Sequence, residues 1–372
     1  MDKPKSMQSL LDGMRQYGAS DLHLKVHVPP YYRIAGRLRK LDTPELESSE
    51  QVETMVRPLI SEAMFDQFKR CGSLDFSYAD KHGDRFRVNM YRAKSDTHVA
   101  FRRIHSVIPT YEALHLPPIY HDLMERSYEG LILVGGVTGC GKSTTLAAMI
   151  EHVISTRPVH VVTLEDPIEY NFHTEKAIVA QREIGLDVPS FHDGLRFMLR
   201  EDPDVVFIGE MRDRETMLAA IQSAETGHLV FGSIHTQDCA QTLSRILEFF
   251  PHEDHDFVRS SLAASLAAVM CQRLLPAVDT KIGRVPATEV LIANSTVREK
   301  VRKGEDEDIE DIIASSTEEG MRSFTFSLAE MVRNDMIDMK TALEYAPNRE
   351  ALDSQIKGIQ LSRQTMIHRV KR

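Results

Sequence analysis

The octapeptide Gly136-Val137-Thr138-Gly139-Cys140-Gly141-Lys142-Ser143 constrains this chain more than any other stretch. It satisfies the phosphate-loop spacing G-x-x-x-x-G-K-[ST] at every fixed position, so a nucleoside triphosphate is the expected ligand. The apolar run Gly130 to Val134 before it predicts a strand. Lys142 to His152 after it predicts a helix with Leu146, Met149 and Ile150 on one side. Glycines at 136, 139 and 141 permit the tight turn in which successive N–H groups, together with the helix start, face phosphate oxygens. Residues 136–143 and Thr144 are therefore expected to hold ATP. Lys142, reaching into solvent or ligand, would neutralise β- and γ-oxygens, and the Ser143 hydroxyl would ligate Mg2+.

A length of 372 residues, 42% of them hydrophobic, allows about two domains of ordinary size. Helical spacing of Met7, Leu10, Leu11 and Met14, strand-like alternation over Asp21 to Leu24 and a hairpin candidate around Ala35-Gly36 begin the N-terminal third. A helical stretch from Glu50 to Arg70 and strands over 74–78, 85–91 and 98–104 complete an α+β module. Pro109, Pro117 and Pro118 break regular structure, which predicts a domain at 1–105, a linker at 106–118 and a second domain at 119–372. In the second, apolar strands over 131–134, 160–164, 205–208 and 229–234 alternate with helical patterns. That alternation predicts an α/β fold with a parallel sheet and ligands at the carboxyl ends of its strands. Past Pro251, Val258, Leu262, Leu266 and Val269 are spaced for one buried helix face.

Turnover needs more than a phosphate loop: a carboxylate for the metal shell and a group that positions or deprotonates water. Asp204-Val205-Val206-Phe207-Ile208-Gly209-Glu210 is a hydrophobic strand ending in an acid, with Gly209 where many nucleotidases carry Asp; Glu210 is assigned to the Mg2+ shell through water. Glu165, ending Thr163-Leu164-Glu165-Asp166-Pro167, is assigned as the water-activating base. His228 and His235 bracket one predicted strand. His235, at its carboxyl end, is expected to approach the phosphates and sense the γ-phosphate, and His228 is placed among the nucleotide-binding residues, a structural role being an equal alternative. Cys140, inside the loop, is read as a position that tolerates a small side chain in preference to a redox-sensitive thiol whose pKa is lowered by the loop N–H groups and the helix start. Cys71, Cys140, Cys239 and Cys271 lie far apart with no Cys-x-x-Cys pair, which suggests reduced thiols and neither a zinc site nor a disulfide framework. A net charge of −10 argues against a nucleic-acid partner. The absence of a long apolar run or a secretory signal predicts a cytoplasmic protein.

The acidic run Glu305-Asp306-Glu307-Asp308 follows Lys300, Arg302 and Lys303 and reads as a solvated segment with local ion pairs rather than a docking patch. Leu352, Ile356, Ile359, Met366 and Val370 outline a basic amphipathic C-terminal helix, placed against its own domain or fraying in preference to a membrane contact.

Four motifs in order, the phosphate loop, Thr-Leu-Glu-Asp-Pro-Ile-Glu, Leu-Arg-Glu-Asp-Pro-Asp-Val-Val-Phe-Ile-Gly-Glu-Met-Arg-Asp and Ala-Glu-Thr-Gly-His-Leu-Val-Phe-Gly-Ser-Ile-His-Thr, resemble those of the secretion ATPases of the type II secretion and type IV pilus group. Within the group the chain resembles the pilus retraction ATPases of the PilT/PilU family, from about Gly18 to about Pro286. The resemblance implies a PAS-like N-terminal domain and a RecA-like ATPase domain with a helical C-terminal region. It implies a homohexameric ring, peripheral at the cytoplasmic face of the inner membrane, that retracts a pilus through an inner-membrane platform protein beside a paralogous pilus ATPase. It gives Glu165 the place of the family's Asp-box acid, Glu210 that of the Walker B acid, and His228 and His235 those of the His-box residues. Arg87 and Arg102 match by position the N-terminal-domain arginines that reach nucleotide. Two departures stand out: Cys140 replaces the usual Ser, and Thr296-Val297-Arg298-Glu299-Lys300-Val301 is a poor version of the family's Ala-Ile-Arg motif. The second leaves open an accessory scaffold of the PilU type beside a partner motor; a secretion-system assembly ATPase is the further alternative.

Overall fold

Residues 6–34, 36–104 and 107–358 are described by a computed structural model, and they divide into two units: one of residues up to Val107 together with Pro167–Asn171, the other of Ile108–Asp166 and the residues from Phe172 onward. In the first, helix α1 (Met7–Gln16) buries Met7, Leu10, Leu11 and Met14, the predicted stripe, and Ser6 caps it by accepting from Ser9 N–H. Six antiparallel strands, β1 (Ala19–Leu24), β2 (Tyr31–Ile34), β3 (Arg37–Lys40), β4 (Ser73–Ala79), β5 (Arg85–Ala93) and β6 (Asp96–Ile104), form one sheet in the order β3-β2-β1-β6-β5-β4. The stretch 50–70 is not one helix. Pro58 cannot supply the N–H that continuation requires, so α2 (Ser49–Val56) passes through a 3-10 turn and α3 (Glu62–Cys71) restarts at the Ser61 cap. Gly72 at φ 72° then ends α3 in the left-handed conformation that favours glycine. Phe68, Phe86, Phe101 and Leu22 fill the core between helices and sheet.

The second unit is α/β. Seven strands, β7 (Gly130–Gly135), β8 (His160–Glu165), β9 (Ile178–Glu183), β10 (Val205–Ile208), β11 (Leu229–Ile234), β12 (Leu266–Pro276) and β13 (Arg284–Ile292), lie in the order β13-β12-β7-β11-β10-β8-β9. All neighbours are parallel except the β12–β13 hairpin. Every residue of β7, β10 and β11 is buried, as expected of central strands covered on both faces. Helices α4 (Ile119–Arg126), α5 (Lys142–Thr156), α6 (Phe191–Met198), α7 (Arg214–Glu225), α8 (Cys239–Glu248) and α9 (His255–Ser265) accompany the sheet, and shorter helices follow between Ser295 and Ile356.

Beyond Pro251 the helical expectation holds only as far as Ser265. Leu266 and Val269 belong to β12, whose burial on both faces gives it a continuous apolar run that mimics a helix stripe. The acidic segment makes local ion pairs: Lys300 Nζ lies 2.6 Å from both Glu305 and Asp308 carboxylates, and Arg259 is 2.7 Å from Asp306. Leu352 is buried in Arg349–Ile356, while Ile359, Met366 and Val370 lie outside the described residues. Among the described residues, no helix is long and apolar enough to cross a membrane.

Candidate active site

Parallel register brings the motif residues to one edge of the second sheet. Ile234 pairs with Gly135, Ile208 with Gly232 and Leu164 with Ile208, so Gly136, His235, Gly209-Glu210 and Glu165 emerge at the carboxyl ends of four adjacent strands. At about 4.8 Å per strand, the row is on the order of 15 Å across.

The loop between β7 and α5 is built on glycine. Gly136, Gly139 and Gly141 have φ of 149°, 78° and 94°, and a Cβ on Gly136 would stand 2.3 Å from Cys140 Sγ and 2.7 Å from the Gln272 carbonyl. No side chain caps α5, so its first turn faces the loop directly. Lys142 does not extend into solvent: it is 8% exposed, and Nζ donates to the carbonyls of Gly136 (2.8 Å) and Val137 (3.3 Å). Beside the loop opens a cavity of about 460 Å3, with Thr138, Gln237, Arg273, Arg284 and Tyr345 in its walls.

At Cys140 burial decides. It is buried, and burial pushes its thiol up, outweighing the nearby Lys142 charge and the loop N–H groups. All four cysteines are free, and only Cys71 is exposed.

Gly209 also has a physical reason. Its N–H donates to Leu164 O at 2.8 Å, its carbonyl accepts from Ser233 Oγ at 2.6 Å, and a Cβ would meet Leu164 O at 3.2 Å and Glu165 Cα at 3.3 Å. A side chain at 209 would press on the backbone of Leu164 and Glu165, so the acid at this strand end stands at the next position, Glu210. Glu210 lies 3.1 Å from His235 Nε2 and pairs with Arg212. Partial burial pushes its carboxyl up, but the Arg212 hydrogen bond and the charges of Arg212, His235 and Lys142 more than offset this, so it lies below the ordinary glutamate range. For His235, burial and the Lys142 charge outweigh the attraction of Glu210 and push the imidazole down, which favours the neutral ring at pH 7. Glu165 is buried at 5% exposure, and Oε1 accepts from Thr163 Oγ1 (2.7 Å) and Gln181 Nε2 (3.1 Å).

His228 is not brought to the phosphate loop of its own chain. It precedes the amino end of β11, where its carbonyl accepts from Gly130 N–H and its Nδ1 lies 2.9 Å from Ser223 O, a strand length from the loop. Arg87 and Arg102 are cross-strand partners on β5 and β6, both exposed; Arg102 Nε donates to Asp21 at 2.9 Å. Motif spacing overlooked Gln272, whose Nε2 donates to Cys140 O (2.7 Å) and whose Oε1 accepts from Thr145 (2.9 Å). Its signal was hidden inside the stretch read as helix. Gln181, on the edge strand β9, was likewise invisible to motif spacing.

Residues 3–308 match the family described as Type II/IV secretion system protein. The chain is 40% identical to a twitching motility protein of Neisseria gonorrhoeae, over 87% of this chain and 86% of that one. It is 37% identical to the type IV pilus ATPase PilU of Pseudomonas aeruginosa, over 94% and 91%. The crystal structure of the pilus retraction motor PilT with bound ADP superposes with a TM-score of 0.87 at 37% identity, covering 94% of this chain and 99% of that one.

Proposed function

The chain belongs to the Type II/IV secretion system protein family, and from that membership we propose that it is an ATP-hydrolysing motor for type IV pilus retraction, working as a homohexamer. One observation carries the reading: phosphate loop, His235, Glu210 and Glu165 stand in a row on one sheet edge, in a chain similar along almost its whole length to an ADP-bound retraction motor. Residues 136–144 receive the triphosphate on the loop N–H groups and the α5 N-terminus. Lys142 exchanges its loop carbonyls for β- and γ-oxygens. Ser143 and Glu210 offer a hydroxyl and an ionised carboxylate, hard oxygen donors that suit Mg2+. Mg2+ would supply charge neutralisation on the phosphate oxygens. Glu165, oriented by Thr163 and Gln181, takes the proton from the attacking water. His235, neutral and held by Glu210, is placed to sense the γ-phosphate.

Arg87 and Arg102 are proposed to reach nucleotide. They stand directly opposite on neighbouring strands and are exposed, with Arg102 also paired to Asp21. His228 keeps a structural role. The division into domains at 1–105, 106–118 and 119–372, the cytoplasmic location at the inner membrane, and partnership with a platform protein and a paralogous ATPase belong to the same proposal. Equal 37% identity to the PilU ATPase and to the PilT structure supports a second reading, an accessory subunit that turns over slowly beside a partner motor.

Steady-state phosphate release by the purified chain separates the two. Robust Mg2+-dependent turnover with hexamers in native mass spectrometry is expected of the motor. A monomer at micromolar protein with ATP and Mg2+ would overturn the ring. In cells, deleting the gene should leave many pili and no twitching.

A further inference from the structure

Away from the phosphate loop, a set of metal-ligating side chains meets between α4 and α5. His121 and Glu125 are four residues apart on α4 and so share a face, while His152 projects from the last turns of α5. One donor atom from each of the three lies within 4.8 Å of the others. His152 Nε2 is 2.8 Å from Glu125 Oε1, and the two imidazoles meet edge to face with centroids 4.9 Å apart. Tyr111 walls the group, its ring 5.8 Å from His152 and 6.4 Å from His121; it is 8% exposed, and its buried hydroxyl has no hydrogen-bond partner. Arg157 binds the two helices together at this end, donating to Ser127 O at 2.6 Å and to Met124 O. The donors are therefore held by two fixed elements rather than by a loop.

We propose that His121, Glu125 and His152 bind a divalent transition-metal ion of the Zn2+ class, clasping α4 to α5. Two imidazoles and one carboxylate, with a water completing a tetrahedron, are a Zn2+ ligand set. Mg2+ and Ca2+ prefer all-oxygen shells, and softer ions prefer sulfur. His152 is ten residues along α5 from Lys142, about 15 Å of helix, so this ion is separate from the Mg2+ of the phosphate loop.

The test uses the full chain stripped of metal, titrated calorimetrically with Zn2+ alone and melted with and without it; Co2+ serves as a visible-absorption probe. One Zn2+ per chain, a raised melting temperature and a tetrahedral Co2+ spectrum are expected. His121→Ala and His152→Ala should each weaken Zn2+ binding by at least about tenfold and abolish the Co2+ bands. Cys71→Ser removes the exposed thiol, and His252→Ala breaks a close histidine pair elsewhere, His252 with His255, with centroids 5.0 Å apart; both should bind Zn2+ as the parent does. Metal-free melting shows whether a variant is folded, and Glu125→Gln, at an exposed position, replaces any that is not. Parent-like Zn2+ affinity in folded His121 and His152 variants, or no binding by the parent, would overturn the site.

Discussion

Replacing Glu165 with Gln isolates the proton-accepting step from the fold. Glu165 Oε1 accepts from Thr163 Oγ1 at 2.7 Å and from Gln181 Nε2 at 3.1 Å. A glutamine whose carbonyl oxygen takes the Oε1 position keeps both donors satisfied. Charge assistance in those two bonds is lost, about 1 kcal/mol of stability. The chemical cost is larger. An amide cannot accept the proton of the attacking water, and general-base catalysis contributes about 10²- to 10⁴-fold, equivalent to about 3–5 kcal/mol of barrier. ATP affinity should hardly change, because the phosphates rest on loop N–H groups and Lys142. Phosphate release at saturating ATP and Mg2+, alongside fluorescent-nucleotide binding, should show kcat down at least about 10²-fold with Kd preserved. If Glu165→Gln keeps turnover within about threefold of the parent while Glu210→Gln binds ATP and does not hydrolyse it, the two carboxylate roles must be exchanged.

Lys142→Ala should abolish hydrolysis and weaken ATP binding. Because Nζ is held by the Gly136 and Val137 carbonyls, it should also lower stability by about 1–3 kcal/mol, and an unchanged denaturation midpoint would contradict that packing. Glu210 ionises below the ordinary glutamate range, so its contribution to stability is complete above that range and is lost as pH falls through the lowered value. Removing the first partner, with Arg212→Ala, should move the acid limbs of both stability and turnover to higher pH; superimposable pH profiles would refute the coupling. Iodoacetamide at pH 7.5 should label exposed Cys71 and spare buried Cys140, whose thiol is pushed up; peptide mass mapping that finds Cys140 modified first would reverse this assignment.

The phosphate loop and the central strands were legible because each carries its constraint locally. A fixed glycine spacing and a fully apolar run bounded by turns need no knowledge of what packs against them. Strand β12 was not legible, since a strand covered on both faces loses the period of two, and Leu262, Leu266 and Val269 then fit a helical stripe by accident. Edge strand β9, with Gln181, Arg182 and Glu183 in its second half, has too little apolar content to announce itself. The direction of the Cys140 thiol was not legible, because loop N–H groups are visible in sequence whereas the burial that outweighs them is tertiary. His121 and Glu125 carry a readable four-residue spacing, but His152 joins them only through the packing of α4 on α5.

Strand β12 continues past the register partner of Gly135, so that Gln272 stands beside the phosphate loop with both ends of its amide engaged, one on Cys140 O and the other on Thr145. The same strand runs on to Arg273, whose guanidinium lies 4.2 Å from the Phe324 ring and donates to Tyr345 O, and forms a nine-residue ladder with β13. Mechanically this is a tie rod. Strand β12 thus reaches the loop twice, through its backbone pairing with β7 as far as Gly135 and through the Gln272 side chain. Shortening that side chain would remove the second tie and leave the first, freeing Cys140 O and Thr145 Oγ1 while the β7–β12 ladder stays whole.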